Sequence, residues 1–245
     1  PPPPPPPPPT STPRSNRRQR QMCIRDSTYT YLLAERRGGE ALLIDPVLEN
    51  ADQYVRLLQE LDVKLVLAAD THIHADHVTA LGSLREQTAC ATAMGSMTRA
   101  ECVSVRFHEG EKLCVDNLHL DILYTPGHTD DSYSFVLPGR VFTGDTLLIR
   151  GTGRTDFQNG DPADQYDSLF GKLLTLPEDK LVYPAHDYNG MTVSTIGEEK
   201  RYNPRLQVAG KQAYVDLMNG LELDDPKLMD IAVPANRACG LMHAA

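Results

Sequence analysis

Thr71-His72-Ile73-His74-Ala75-Asp76-His77 packs three histidines and an aspartate into seven residues, directly after the short apolar run Val63 to Ala69. Imidazole nitrogens and carboxylate oxygens suit first-row transition metals, and a loop leaving a buried strand can aim several of them at one point. A lone histidine here would read as solvated surface. Three of the chain's eight histidines beside an aspartate read as a metal site.

Three stretches downstream repeat the plan. Thr125-Pro126-Gly127-His128-Thr129-Asp130-Asp131-Ser132 forms a turn after Leu118 to Tyr124 and presents His128. Phe142-Thr143-Gly144-Asp145-Thr146 ends a strand on a Gly-Asp turn, and Tyr183-Pro184-Ala185-His186-Asp187-Tyr188 ends another on a histidine. Each alone is weak. Four strand ends carrying metal-ligand side chains make a joint signal.

The surrounding pattern mixes strands and helices. Tyr29 to Leu33, Glu40 to Ile44, Val63 to Ala69, Leu118 to Tyr124, Ser132 to Leu137, Val141 to Thr143 and Leu181 to Tyr183 read as strands. Asn50 to Leu61, Val78 to Gln87, Ala163 to Leu174 and Lys211 to Met218 read as helices, so sheets covered by helices are expected, with sites where strands hand over to loops.

Composition narrows the function classes. The first 27 residues hold ten of the 19 prolines and five arginines against one aspartate, so the formal −9 of the chain becomes −13 over the other 218. That balance argues against a nucleic-acid or anionic-membrane surface, and the absence of tryptophan leaves little for base stacking. No run of 18 apolar residues occurs. Five widely spaced cysteines with no CxxC pair read as inert thiols in a reducing compartment. Residues 1–27 read as a disordered or non-native arm, and Gln21 to Ser27 is similar to a translated sequencing-library adapter, which would leave the native N-terminus missing. One domain is expected over 28–245.

The set His72, His74, Asp76, His77, His128, Asp145 and His186 resembles the metallo-β-lactamase superfamily, which implies an α+β fold, the αββα four-layer sandwich. Leu43 to Val47, Thr143 to Asp145, Leu148 to Phe157, Tyr183 to Tyr188 and Asn203-Pro204-Arg205 resemble, more narrowly, the ethylmalonic-encephalopathy-protein family of persulfide dioxygenases, over nearly all of Thr28 to Gly240. The resemblance implies a non-haem Fe(II) enzyme with one iron per chain. Its substrates would be glutathione persulfide, O2 and water, its products sulfite and glutathione, its place sulfide catabolism. The resemblance puts the iron ligands at His72, His128 and Asp145, the residues that orient them at His74, Asp76, His77 and His186, and the glutathione contacts at Arg154, Tyr188 and Arg205. Two histidines and one carboxylate form the facial triad that leaves coordination positions open for O2. A homodimer is common in that family. Asp130-Asp131-Ser132 resembles its bacterial members, so a bacterial cytoplasm is expected over a mitochondrial matrix. Cys239 falls where the family also has a cysteine, and with no base beside it reads as inert.

Two rivals remain. A glyoxalase-II-type hydroxyacylglutathione hydrolase would use two metals and all seven of those side chains. Against it stand the Leu148 to Phe157 and Asn203 to Arg205 blocks and the 59 residues after His186, short for that family's helical C-terminal domain. A non-catalytic metal-binding sulfur sensor would keep the triad and lack turnover.

Overall fold

Tyr29–Ala34 is buried at every position and Glu40–Ile44 at all but the first, so these strands need cover on both faces. The computed structural model, which describes residues 18–23, 28–224 and 228–241, supplies it with two sheets and two helical layers. The first sheet runs β1 (Arg18–Cys23), β2 (Tyr29–Ala34), β3 (Glu40–Ile44), β4 (Lys64–Ala69), β5 (Ala91–Gly95), β6 (Val105–Phe107), antiparallel as far as β3 and parallel beyond it. In chain order the next strands are β7 (Lys112–Val115), β8 (Leu118–Tyr124), β9 (Tyr133–Leu137) and β10 (Arg140–Gly144). A small hairpin, β11 (Leu147–Leu148) with β12 (Gly151–Thr152), precedes β13 (Leu181–Pro184) and β14 (Ser194–Thr195). The second sheet is ordered β7, β8, β9, β10, β13, β14.

Tyr31, Leu42, Phe107, Leu120, Phe135 and Phe142 meet between the sheets. Outside the first sheet, α1 (Ala51–Leu61) and α2 (Leu81–Thr88) bury Tyr54, Leu58, Leu81 and Leu84 against Leu32, Leu43 and Leu65. Outside the second, α3 (Pro162–Gly171), α4 (Ile196–Tyr202) and α5 (Lys211–Asn219) bring Leu169, Ile196, Tyr214 and Met218 onto Val136, Val141 and Val182. The C-terminal α6 (Met229–Arg237) returns to the first sheet's side, where Val233 packs. This is the four-layer αββα sandwich that the resemblance implied. Among the described residues no helix is long and apolar enough to cross a membrane.

Strand direction gathers the site. β8 and β10 are both antiparallel to β9, and β13 is parallel to β10, so the C-terminal ends of β8, β10 and β13 share one edge of the second sheet. The end of β4 and the start of β2 meet that edge from the first sheet: the Tyr133 amide donates to the Thr71 carbonyl at 2.9 Å, and the Tyr29 amide to the Ala185 carbonyl at 2.7 Å.

Two expectations need correction. Arg18–Cys23 lies within the segment read as a disordered or non-native arm, and against the first of those alternatives it pairs with β2 from Arg18 opposite Ala34 to Cys23 opposite Tyr29. A sheet edge offers unpaired backbone groups that an extended segment of any sequence can satisfy. The rest of 1–27 lies outside the described residues.

The cysteines are the second correction. Cys102 and Cys239 are joined by a disulfide across 137 residues, their Cα atoms 5.9 Å apart, while Cys90 and Cys114 are free. Spacing hid the pair because only the return of α6 brings Cys239 beside Cys102. Closing so long a loop restricts the unfolded chain, typically by about 3 kcal/mol. Reduction, or Cys102→Ser, is expected to lower the Tm by roughly 10 °C in thermal unfolding followed with and without reductant. An unchanged Tm on full reduction would show that the bond does not constrain the fold.

Candidate metal centre

β4 hands over at Ala69 to an irregular loop that carries His72, His74, Asp76 and His77. His128 follows the end of β8, Asp145 follows β10 directly, and His186 follows β13. One donor atom each from His72, His128 and Asp145 lie within 4.8 Å of one another. Asp145 Oδ2 stands 3.9 Å from His72 Nε2 and 3.6 Å from His128 Nε2. The rings of His72 and His128 meet edge to face, 5.0 Å between centroids.

Hydrogen bonds choose the tautomers. The Thr71 hydroxyl donates to the Asp45 carboxylate at 3.1 Å, so its oxygen accepts from His72 Nδ1 at 3.0 Å and leaves Nε2 with a lone pair. His128 Nδ1 donates to the Arg154 carbonyl at 2.7 Å, which likewise frees its Nε2. Burial foremost, then the neighbouring His74 and His128, hold the His72 ring well below the usual imidazole range. A neutral ring with its lone pair turned to a carboxylate is what a metal ligand requires.

Asp145 is oriented from behind. His186 Nδ1 donates to Asp145 Oδ1 at 2.7 Å and His186 Nε2 to Asp76 Oδ2 at 2.8 Å. Burial opposes a charged His186, yet the two carboxylates outweigh it and hold the ring well above the ordinary imidazole value. Burial pushes Asp145 up, and His186, His128 and His72 outweigh that to hold it below the usual carboxylate range. Asp76 Oδ2 also accepts from His77 Nδ1 at 3.0 Å and from the Thr28 hydroxyl at 3.2 Å. His74, Asp76 and His77 form a second group of candidate donors within 4.8 Å, with His74 Nδ1 and His77 Nε2 buried and lacking a hydrogen-bond partner.

Asp45 supports the loop from the end of β3. It accepts from the Thr71 amide at 2.7 Å and from His74 Nε2 at 3.2 Å, and it outweighs burial to push His74 up to about 9. Its own φ is +52°, a left-handed conformation that aspartate tolerates better than most residues. Asp45 and Thr71 lie within the stretches that carry the resemblance, but no local pattern assigns either of them a role. The Asp-Pro stop after an apolar strand marks Asp45, but its partner lies 26 residues away.

The three expected glutathione contacts flank one loop. Arg154 makes two 2.7 Å contacts to Asp156, donates to the Asp224 carbonyl at 2.6 Å, and lies over the Phe157 ring. Arg205 donates to the Thr152 carbonyl at 2.5 Å, and Tyr188, 71% exposed, stacks parallel to the His186 ring. Asn203 Nδ2 donates to the Gly151 carbonyl at 2.9 Å and the Leu148 carbonyl at 3.3 Å, and fully buried Glu199 pairs with Arg150. The Leu148 to Phe157 and Asn203 to Arg205 blocks therefore form one unit, which carries the carbonyl that orients His128.

Comparison with known proteins bears on what this arrangement is. A family model described as the metallo-beta-lactamase superfamily matches residues 24–103 and 106–186. The mitochondrial persulfide dioxygenase ETHE1 of Mus musculus is 45% identical over 217 residues, 87% of this chain and 85% of its own length. Its Homo sapiens counterpart is 44% identical over the same shares. The crystal structure of ETHE1 from Myxococcus xanthus superposes with a TM-score of 0.88 at 51% identity, covering 91% of this chain and 99% of that one.

Proposed function

We infer that this chain, which belongs to the metallo-β-lactamase superfamily and within it to the persulfide dioxygenases, oxidises glutathione persulfide at a single Fe(II) held by His72, His128 and Asp145. The observation that carries the reading is the converging set of two imidazole nitrogens and one carboxylate oxygen, with both histidine tautomers fixed by hydrogen bonds. Those donors fit the facial triad of non-haem iron oxygenases. In the balanced reaction, persulfide, O2 and water give glutathione, sulfite and two protons. When bound, Fe(II) supplies open coordination positions and the electrons that let ground-state O2 react with sulfur.

The chain's own residues do the rest. Asp45, acting through the Thr71 hydroxyl, holds His72 with Nε2 free, and the Arg154 carbonyl does the same for His128. His186, pinned between Asp76 and Asp145, fixes the Asp145 carboxylate so that Oδ2 faces the histidines. Asp76 and His186, which a second metal would need, are already bonded to each other, and Asp76 Oδ2 accepts three donors. The single-metal reading rests on the likeness to the persulfide dioxygenases, and metal content per chain separates it from the binuclear hydrolase arrangement.

Arg154, Tyr188 and Arg205 are proposed to receive the glutathione moiety, whose two carboxylates call for fixed cations. Arg154→Ala is expected to raise KM about tenfold with kcat little changed, in steady-state oxygen uptake. A fall in kcat at constant KM would instead assign Arg154 to the support of His128. Residues 28–245 are proposed as one domain. Sulfite formation by the Fe(II)-loaded protein on glutathione persulfide tests the reading. Hydrolysis of S-lactoylglutathione without sulfite would overturn it.

A further inference from the structure

The loop that carries His72 to His77 is irregular backbone in a buried setting, where carbonyls without strand or helix partners cost free energy unless something else satisfies them. One side chain from the far end of the chain does this. Asn236, 1% exposed on α6, donates through Nδ2 to the carbonyls of His74 and His77, both at 2.8 Å. Its Oδ1 accepts from the Thr79 amide at 2.8 Å. Both amide donors and one acceptor position are thus spent on a six-residue stretch of the metal loop.

The end of α6 that carries this amide is itself fixed. Three residues on, Cys239 is bonded to Cys102, and its carbonyl accepts from the Gly82 amide at 2.9 Å. Gly240 sits so close to the loop that a Cβ there would lie 2.0 Å from the Thr79 carbonyl oxygen. The neighbouring backbone leaves little slack, and the loop's register is set by where Asn236 sits.

We propose that Asn236 is a positioning residue for the metal centre: by holding the carbonyls of His74 and His77 it sets the loop from which His72, His74 and the Asp76–His77 pair project. His77 donates to Asp76, Asp76 holds His186, and His186 orients Asp145, so a displaced His77 backbone is transmitted to a ligand on the opposite sheet. The inference rests on the assignment of the metal to His72, His128 and Asp145. Partners of this kind, outside the ligand set, typically alter metal affinity or activity about 10- to 100-fold when removed.

The test is Fe(II) affinity of the full chain, measured anaerobically by chelator competition without substrate, together with Tm and the kcat and KM of the loaded protein. Asn236→Ala and the milder Asn236→Ser, which leaves room for a water at the vacated amide, are compared with Val233→Ala on the same helix. Val233 packs against the apolar cluster under α6, to which Ile73 of the loop also belongs, and its truncation destabilises the helix while leaving the Asn236 hydrogen bonds to the loop in place. Both Asn236 variants are expected to bind Fe(II) about 10- to 100-fold more weakly and to lose kcat at unchanged KM, while Val233→Ala keeps its affinity at a comparable loss of Tm. Wild-type affinity in the Asn236 variants, or an equal loss in Val233→Ala, would overturn the proposal while leaving the triad intact. Absence of tight Fe(II) binding in the unaltered protein would strike at the triad instead.

Discussion

Asp145→Ala is expected to lose its iron and, with it, persulfide-dependent oxygen uptake, by at least about a thousandfold. Asp145 is the one anionic donor of the proposed three, and its removal leaves two neutral imidazoles to hold a dication. It also strips His186 of the carboxylate 2.7 Å from Nδ1, so a buried ring kept protonated by two anions would face only Asp76. The substitution therefore removes a ligand and unsettles its support together. Asp145→Asn separates the two, because it keeps the shape and a hydrogen-bond acceptor while removing the charge. It is expected to fold with a Tm near that of the unaltered protein and still fail to retain iron. His72→Ala should match Asp145→Ala in metal content and rate, since each removes one of three protein ligands. Metal analysis after desalting and an oxygen electrode suffice, and retention of both iron and rate in either alanine variant would sink the ligand assignment.

Gly153→Ala is expected to cost about a hundredfold or more in kcat with weakened iron retention, although residue 153 supplies no side chain. A Cβ at this position would lie 2.1 Å from the Asp145 carbonyl oxygen and 2.8 Å from His128 Nδ1. The first contact is with backbone, so no rotamer change relieves it. The Gly153 amide also donates to that same Asp145 carbonyl at 2.8 Å, and the next carbonyl along, that of Arg154, orients His128. Pushing this segment outward moves two of three ligands, and displacements of about 1 Å are enough for losses of that size. Gly151→Ala in the same loop is the control. Its added Cβ would meet nothing closer than Leu148 Cβ at 3.9 Å, and near-normal rate and metal content are expected. Equal losses in both variants would point to general loop damage rather than to contact with the ligands.

The strands that bear the site were legible because each is an apolar or alternating run that stops at a polar or turn residue. Leu118–Tyr124 is read to the residue, and the runs at Val63, Val141 and Leu181 are displaced by no more than a residue at either end. β5 escaped notice because three of the five residues of Ala91–Gly95 are alanine or glycine, which have little β preference. It is a strand because β4 and β6 flank it and because Gly95 lets the Tyr133 ring approach to where a Cβ would be 1.9 Å away. α4 carries a capping box from Thr195 and Glu198 and was still missed, being only seven residues long. α6 contains Pro234, which argues against a helix in any local reading.

The same divide holds for the site. Ligand residues announce themselves by type and spacing within a loop, whereas the groups that orient them come from elsewhere in the chain. Asp45 reaches Thr71 over 26 residues and Asn236 reaches His74 over 162, and nothing in either neighbourhood names the partner. The disulfide is hidden for the same reason, since a pairing over 137 residues exists only once α6 has docked.

The central claim, a single iron at His72, His128 and Asp145 turning over persulfide, is tested most directly by oxygen consumption of the Fe(II)-loaded protein on glutathione persulfide, with metal content determined on the same sample. Uptake that depends on persulfide and saturates at about one iron per chain is the predicted result. Two metals per chain, with thioester hydrolysis and no oxygen uptake, would contradict it.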